Sequence, residues 1–299
     1  MLTRRRFLQS AGGAVALGGG LGAYSVLIEP LFRLQISPFS VAHASWPAAM
    51  PPLRIAVLTD IHAVEPWMPA GRIARIAETA NGLGADMIVL LGDFVASMPK
   101  FRTGLVSYAD WTGALRGLKA PLGVYAIMGN HDWWTDNWKV RDGLTKVGIP
   151  VLENRALKID KGGRRFWVAG LGDQIALHVP GGYRGVDDLP ATLAPTMGDR
   201  DPVVLLAHEP DVFVRVPERV ALTLSGHTHG GQVCLPLIGR PIIPSAYGQR
   251  FAYGHIVEGG RNLVVSSGIG MTGIPVRFNV PPEIALVTLG APGQVDATV

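Results

Sequence analysis

Five short apolar runs of this 299-residue chain end in residues that a hydrocarbon core has no use for. Leu58-Thr59 leads into Asp60-Ile61-His62, Leu91 into Gly92-Asp93, and Met128 into Gly129-Asn130-His131-Asp132. Leu206-Ala207 leads into His208, and Leu224-Ser225 into Gly226-His227-Thr228-His229. Carboxylate, amide oxygen and imidazole together suit borderline divalent cations such as Mn, Fe or Zn. No thiolate belongs to the set, which argues against a structural zinc site. Five of the eight histidines fall in these motifs. In α/β sheets, ligands gather just beyond the carboxyl ends of strands. The pattern therefore predicts one convergent metal site. Glycine ahead of Asp93, Asn130 and His227 is expected to let the backbone turn sharply and come close to an ion.

The elements that must carry these groups are legible as apolar runs alternating with amphipathic segments. Leu53–Leu58, Met87–Leu91 and Val124–Met128 read as strands. Ile73, Ile76, Ala77 and Ala80 recur at helical spacing before Asn81-Gly82, a helix stop. Leu105–Leu118 is weakly helical, and a tryptophan-bearing helix follows Met128 through Val147. After Pro150 strands dominate: Arg155–Ile159 and Phe166–Leu171 flank the turn signal Lys161-Gly162-Gly163, and further runs follow to Leu289. The alternation predicts an α/β layered protein. One domain from residue 31 to 299 is expected after an N-terminal segment of 30 residues.

The ordered set Asp-x-His, Gly-Asp, Gly-Asn-His-Asp, a lone His and Gly-His-x-His resembles the calcineurin-like metallophosphoesterase superfamily. The resemblance extends from about Leu53 to Leu289. The stretches Gly226–Gln232, Ser267-Gly268-Ile269-Gly270 and Pro275-Val276-Arg277-Phe278 look like its exported YkuE/YaeI-type subgroup. The resemblance implies a four-layer α/β/β/α sandwich with two facing mixed β-sheets. It also implies two divalent metal ions: Asp60, His62 and His229 on one, Asn130, His208 and His227 on the other, and Asp93 bridging. Such a pair activates a bridging water that hydrolyses phosphodiester or phosphomonoester bonds. His131 is expected to serve the leaving group, with Asp132 orienting it by accepting its other N–H. A UDP-diacylglucosamine-type lipid pyrophosphatase of lipid A synthesis is an alternative within the same chemistry. A non-catalytic exported metal-binding protein is an alternative outside it, and it would have no need of His131.

Other residues carry weaker signals. Trp133, Trp134 and Trp138 follow the fourth ligand, and Trp134 and Trp138 are spaced to share a helix face. Core packing is the plain interpretation; an apolar rim for the leaving group, with Trp133 touching substrate, is the sharper one. Arg277 suits either a substrate phosphate or a salt bridge. Asp173 after Gly170-Leu171-Gly172 reads as a turn residue, and His43, His178 and His255 have no motif context.

The N-terminus reads as an address. Arg4-Arg5-Arg6-Phe7-Leu8 precedes an uncharged, glycine-rich stretch from Ala11 to Ile28. This resembles a twin-arginine export signal, which implies the twin-arginine export machinery as a partner and a location in the periplasm or on the outer face of the cytoplasmic membrane. Leu31–Ile36 reads as a strand. Cleavage at Ala42-His43-Ala44 and retention as a membrane anchor both fit. The three arginines supply most of the net charge of +4. No basic stripe remains for nucleic acid, which is excluded as the main partner. The expected partner is a phosphate-ester substrate, lipid-linked in the alternative that a membrane-associated enzyme would suit. The lone Cys234 cannot form an internal disulfide.

Overall fold

The structure is a computed structural model and describes residues 18–295 apart from Ser97 and Arg102. The arginines at 4–6 and the start of the apolar stretch lie outside the described residues. The first half of the chain forms β1 (Gln35–Ala42), β2 (Leu53–Leu58), β3 (Val64–Glu65), β4 (Met87–Leu90), β5 (Gly104–Leu105) and β6 (Val124–Ala126). The second half adds β7 (Arg155–Lys161), β8 (Arg164–Gly170), β9 (Leu177–Val179), β10 (Gly182–Arg184) and β11 (Val203–Leu206). Then come β12 (Val220–Ser225), β13 (Gly254–Glu258), β14 (Arg261–Val265) and β15 (Glu283–Gly290). The helices are α1 (Glu29–Phe32), α2 (Ala70–Gly82), α3 (Tyr108–Leu115), α4 (Asn130–Lys146) and α5 (Leu189–Leu193).

Period-two burial sorts the strands into layers. On β2 and β4, Ala56, Leu58, Ile88 and Leu90 pack outward against Ile73 and Ile76 of α2, Trp111 of α3 and Leu144 of α4. The alternate residues, Ile55, Val57, Met87 and Val89, face inward onto Phe166, Val168, Val204 and Leu222 of the second sheet. That sheet's other face, with Val203, Leu205 and Leu263, is covered by Leu189 and Leu193 of α5 and by Phe213 and Phe251. Burying each such side chain is worth about 2 kcal/mol, so a one-residue register slip would forfeit a whole face. The sheets run β1-β15-β2-β4-β6 and β13-β14-β12-β11-β8-β7. Both are mixed: β2, β4 and β6 are parallel while β15 opposes β2, and β8, β11, β12 and β14 are parallel between antiparallel β7 and β13. This is the expected four-layer α/β/β/α sandwich, with a thin outer layer on the second sheet.

Two local expectations change. The strand expected at Leu31–Ile36 begins four residues later, because Pro30 at the start of α1 continues the helical turn to Phe32. In α4, Asp136 leaves helical geometry (φ −165°, ψ 85°), which breaks the phase between Trp134 and Trp138. Trp138 ends up 76 % exposed.

The N-terminal segment is tied to the domain by polar contacts. The Ser25 carbonyl accepts the Arg277 N–H at 2.9 Å. The buried Glu29 carboxylate accepts the N–H groups of Asn279 (3.0 Å) and Val280 (2.6 Å). Trp67 Nε1 donates to the Val26 carbonyl at 3.0 Å. β1 pairs with β15 along its whole length, ending at Ala42 opposite Gly290. A cut at Ala42–Ala44 would therefore take an entire strand from the first sheet. Among the described residues no helix is long and apolar enough to cross a membrane.

Candidate metal centre

Strand ends of both sheets deliver the ligands to one place. Asp60 and His62 follow β2, Asp93 follows β4, Asn130 opens α4 after β6, His208 follows β11, and His227 and His229 follow β12. All are buried except His227, which is partly so. The backbone is bent to aim them. Asp60, His62, Asp93, His227 and His229 all have left-handed φ, between 46° and 64°. Each such residue costs of order 1 kcal/mol, and strain of this kind persists where a site needs it. Gly129 and Gly226 serve a different purpose from the turning expected of them. A Cβ at Gly129 would overlap the Asp93 carboxylate and the His208 ring, and one at Gly226 would overlap Asp60.

The candidate ligand atoms converge on one place. His62 Nδ1 faces the Val95 carbonyl (3.2 Å) and His208 Nδ1 the Leu91 carbonyl (2.7 Å). A carbonyl only accepts, so both Nδ1 atoms carry hydrogen and each ring turns its Nε2 toward the cluster, the atom that would hold a metal. His62 Nε2 then lies 3.0 Å from His229 Nε2 and 3.5 Å from Asp93 Oδ2. His208 Nε2 lies 3.3 Å from Asp93 Oδ2, and His229 Nε2 lies 3.5 Å from Asp60 Oδ1. The Asn130 Oδ1 atom is buried with no hydrogen-bond partner. Imidazole nitrogens, carboxylate oxygens and an unpartnered amide oxygen gathered this tightly are a donor set for borderline divalent cations. The residues present fit divalent metal.

Supporting contacts set each ligand. Thr59 Oγ1 donates to Asp60 Oδ2 (2.9 Å), and the His227 N–H shares its hydrogen between both Asp60 oxygens at 3.1 Å. Burial pushes the Asp60 carboxyl up to about 6 and the His62 imidazole down to about 3. Burial also lowers His227 and His229, so these rings stay neutral and open to a metal. Asp93 and His208 behave otherwise. Burial opposes their charges, but the surrounding imidazoles hold Asp93 well below its usual range, and Asp93 lifts His208 well above its own.

Residues 53–231 match the model of the calcineurin-like phosphoesterase family. The chain belongs to that family. It is therefore a metal-dependent phosphoesterase, a hydrolase of phosphate esters. An uncharacterized metallophosphoesterase of Bacillus subtilis (strain 168), YkuE, is 31% identical over 296 residues, covering 96% of this chain and 98% of its own. Phosphodiesterase YaeI of Escherichia coli (strain K12) is 30% identical over 297 residues, covering 97% of this chain and all of its own. An uncharacterized metallophosphoesterase of Aquifex aeolicus (strain VF5) is 29% identical over 275 residues, covering 92% and 98%.

In this phosphoesterase a cleft of about 320 Å³ lies over the ligands, lined by Asp93, Asn130, His131, His227 and His229 together with Trp134, Tyr183 and Thr272. A His131 ring nitrogen lies within 4.8 Å of the ligand atoms of His62 and Asp93. Its orientation is not set by Asp132 as expected. The Asp132 carboxylate instead accepts the backbone N–H groups of Asp93 (2.8 Å), Phe94 (2.9 Å) and Gly129 (3.0 Å). The third residue of a helix reaches back to its own N-cap in this way. Asp132 thus fixes the loop that carries Asp93, and the ring contact of His131 is Thr272: its Nε2 lies 3.2 Å from the hydroxyl.

Two expected substrate contacts are also displaced. Arg277 is fully buried, and its guanidinium donates to the carbonyls of Ser267, Gly268, Gly270 and Val280. It braces the loop behind Asp60, leaving no donor for a phosphate. Trp133 packs into the core under the first sheet, and its neighbour Trp134 faces the cleft. Trp134 stacks on Tyr183 (5.2 Å, 20°) and meets the rings of His178 (4.7 Å) and His131 (5.2 Å). His178 and Tyr183 sit on the β9–β10 hairpin, whose pairing with the site has no local signature in the sequence. Asp173 does make a turn, accepting the Ile175 N–H at 2.9 Å. It is also buried behind His208, where burial and the Glu209 carboxylate push its carboxyl up to about 10.

Proposed function

We propose that the phosphoesterase hydrolyses phosphodiesters with two divalent cations, Mn, Fe or Zn, held side by side. The position of Asp93 carries this reading: its Oδ2 lies 3.5 Å from His62 Nε2 and 3.3 Å from His208 Nε2, so one carboxylate serves both ligand groups. Asp60, His62 and His229 would hold one ion, and Asn130, His208 and His227 the other. When bound, such ions polarise phosphoryl oxygens and supply a nucleophilic water at neutral pH.

The remaining duties belong to the chain. His131 is within reach of a phosphate seated over Asp93, and it donates a proton to the departing oxygen. Thr272 holds the ring in the cleft, and Asp132 holds the Asp93 loop. The Trp134–Tyr183 stack forms one wall of the cleft, and Thr272 with Pro244 forms another. The aromatic and apolar lining beyond the ligands supports a substrate with organic ester groups, and the name of the Escherichia coli relative supports a diester. The arginines at 4–6 ahead of an uncharged stretch support export or membrane anchorage of the same enzyme.

The experiment is turnover of bis(p-nitrophenyl) phosphate and p-nitrophenyl phosphate by the full chain loaded with Mn²⁺. The diester should be hydrolysed faster, and His131→Ala should lose turnover while keeping its metal. Metal-loaded wild-type protein inert on both esters would leave only a metal-binding role.

A further inference from the structure

Beside the metal ligands a second cavity of about 400 Å³ is walled by Val233, Pro241, Ile242, Pro244 and Ile274. It shares His229, Thr272 and Pro244 with the catalytic cleft, so the two adjoin at the residues next to the reacting centre. Gln232 pins the boundary between them. Its amide donates to the Thr272 carbonyl (3.0 Å) and accepts the Thr272 N–H (2.7 Å). Its side chain is thereby committed, and the rest of the wall offers few polar atoms. A nucleobase or sugar buried there would leave its own polar groups unpaired, at a cost that a hydrocarbon does not incur.

The rim of the cavity is apolar as well. Ile242 and Ile274 are 74 % and 48 % exposed, and the turn closed by Leu235 and Gly239 lifts Leu237 and Ile238 into solvent. Apolar groups exposed together mark an interaction surface. The loop 272–280 continues from this rim to the N-terminal segment. Its Arg277, Asn279 and Val280 N–H groups are bound by Ser25 and Glu29, and Asn279 Nδ2 donates to the Cys234 carbonyl at 3.1 Å. Leu27, Ile28 and Phe32 of that segment are exposed too, and the chain ahead of them is uncharged back to Ala11.

We propose that this cavity is a hydrocarbon subsite: it takes an alkyl or acyl chain of an amphiphilic phosphodiester whose phosphate lies over the metal ligands. The proposal rests on the phosphodiesterase reading above, and the test separates the two. Full-length, Mn²⁺-loaded protein in one detergent is given p-nitrophenyl alkyl phosphates from methyl to octyl. Transferring a methylene from water is expected to raise kcat/KM about three- to fourfold for each carbon until the cavity is filled. In Ile274→Gln and Ile242→Gln, both at exposed positions, the octyl-to-methyl ratio should fall at least tenfold. A wild-type ratio near one would overturn the subsite, and so would an equal ratio in wild type and variants, which would assign the gain to detergent partitioning. Failure to turn over any member of the series would instead overturn the phosphodiesterase reading on which the subsite depends.

Discussion

His131 Nε2 lies 3.2 Å from the hydroxyl of Thr272, a residue that is 141 positions away in the chain. The contact joins the first-sheet helix that carries His131 to the loop that also carries Arg277 and the N-terminal contacts. Removing it should slow the reaction without stripping metal. Thr272→Val is expected to lower kcat about two- to tenfold, the worth of one hydrogen bond. Thr272→Ser should restore it, and metal content should not change in either variant. His131→Ala should cost more, about a hundredfold or beyond.

Gly129 has no room for a side chain, because a Cβ there would run into the Asp93 carboxylate and the His208 ring. Both are candidate ligands from other elements, and neither can move without leaving the cluster. Gly129→Ala should therefore bind metal at least tenfold more weakly by calorimetric titration while the protein remains folded by circular dichroism.

Glu29 is buried and receives two backbone N–H groups, from Asn279 and Val280. Glu29→Ala would leave both donors unpaired in the interior, at about 1–3 kcal/mol. The variant should melt several degrees below wild type. Deleting residues 1–30 should do at least as much harm, because it also removes the Ser25 carbonyl that takes the Arg277 N–H.

Burial holds His62 down to about 3, against about 6.5 in an unfolded chain. A histidine with a lowered folded pKa contributes stability that is fully present above pH 6.5 and is lost as pH falls from there toward 3. At pH 5 the loss from this residue amounts to about 2 kcal/mol in metal-free protein. Urea midpoints of chelator-treated protein at pH 7.5 and pH 5 measure it. His62→Gln should show a shallower decline between the two than wild type.

The clustering of the candidate ligands was legible because these residues sit at the ends of apolar runs, where strand geometry brings them together. The layered α/β architecture was legible because β2 and β4 are near-continuous apolar runs, as strands buried on both faces must be, set between amphipathic segments; the four-layer sandwich was implied by the family resemblance. What could not be read was contact at long range between ordinary residues. Thr272 has no motif, and its role depends on a loop folded back by Gln232. The Trp134–Tyr183 stack requires the β9–β10 hairpin to lie over α4, which nothing in either segment announces. Arg277 suits a phosphate or a carboxylate by type, yet its guanidinium donors meet loop carbonyls that only the folded chain brings to it. At Asp132 the demand of a helix N-terminus for an acceptor outweighs the adjacent imidazole.

Asp93 is the residue on which the proposed two-cation chemistry turns, since its carboxylate lies close to both groups of candidate ligands. The decisive measurement follows hydrolysis of bis(p-nitrophenyl) phosphate while Mn²⁺ is added back to chelator-stripped protein, with bound metal determined on the same samples. Activity should rise with bound Mn²⁺ and level off at about two ions per chain. Asp93→Asn should hold at most one ion and turn over about a hundredfold more slowly. Full activity at one ion per chain, or undiminished turnover in Asp93→Asn, would contradict a bridged pair of cations.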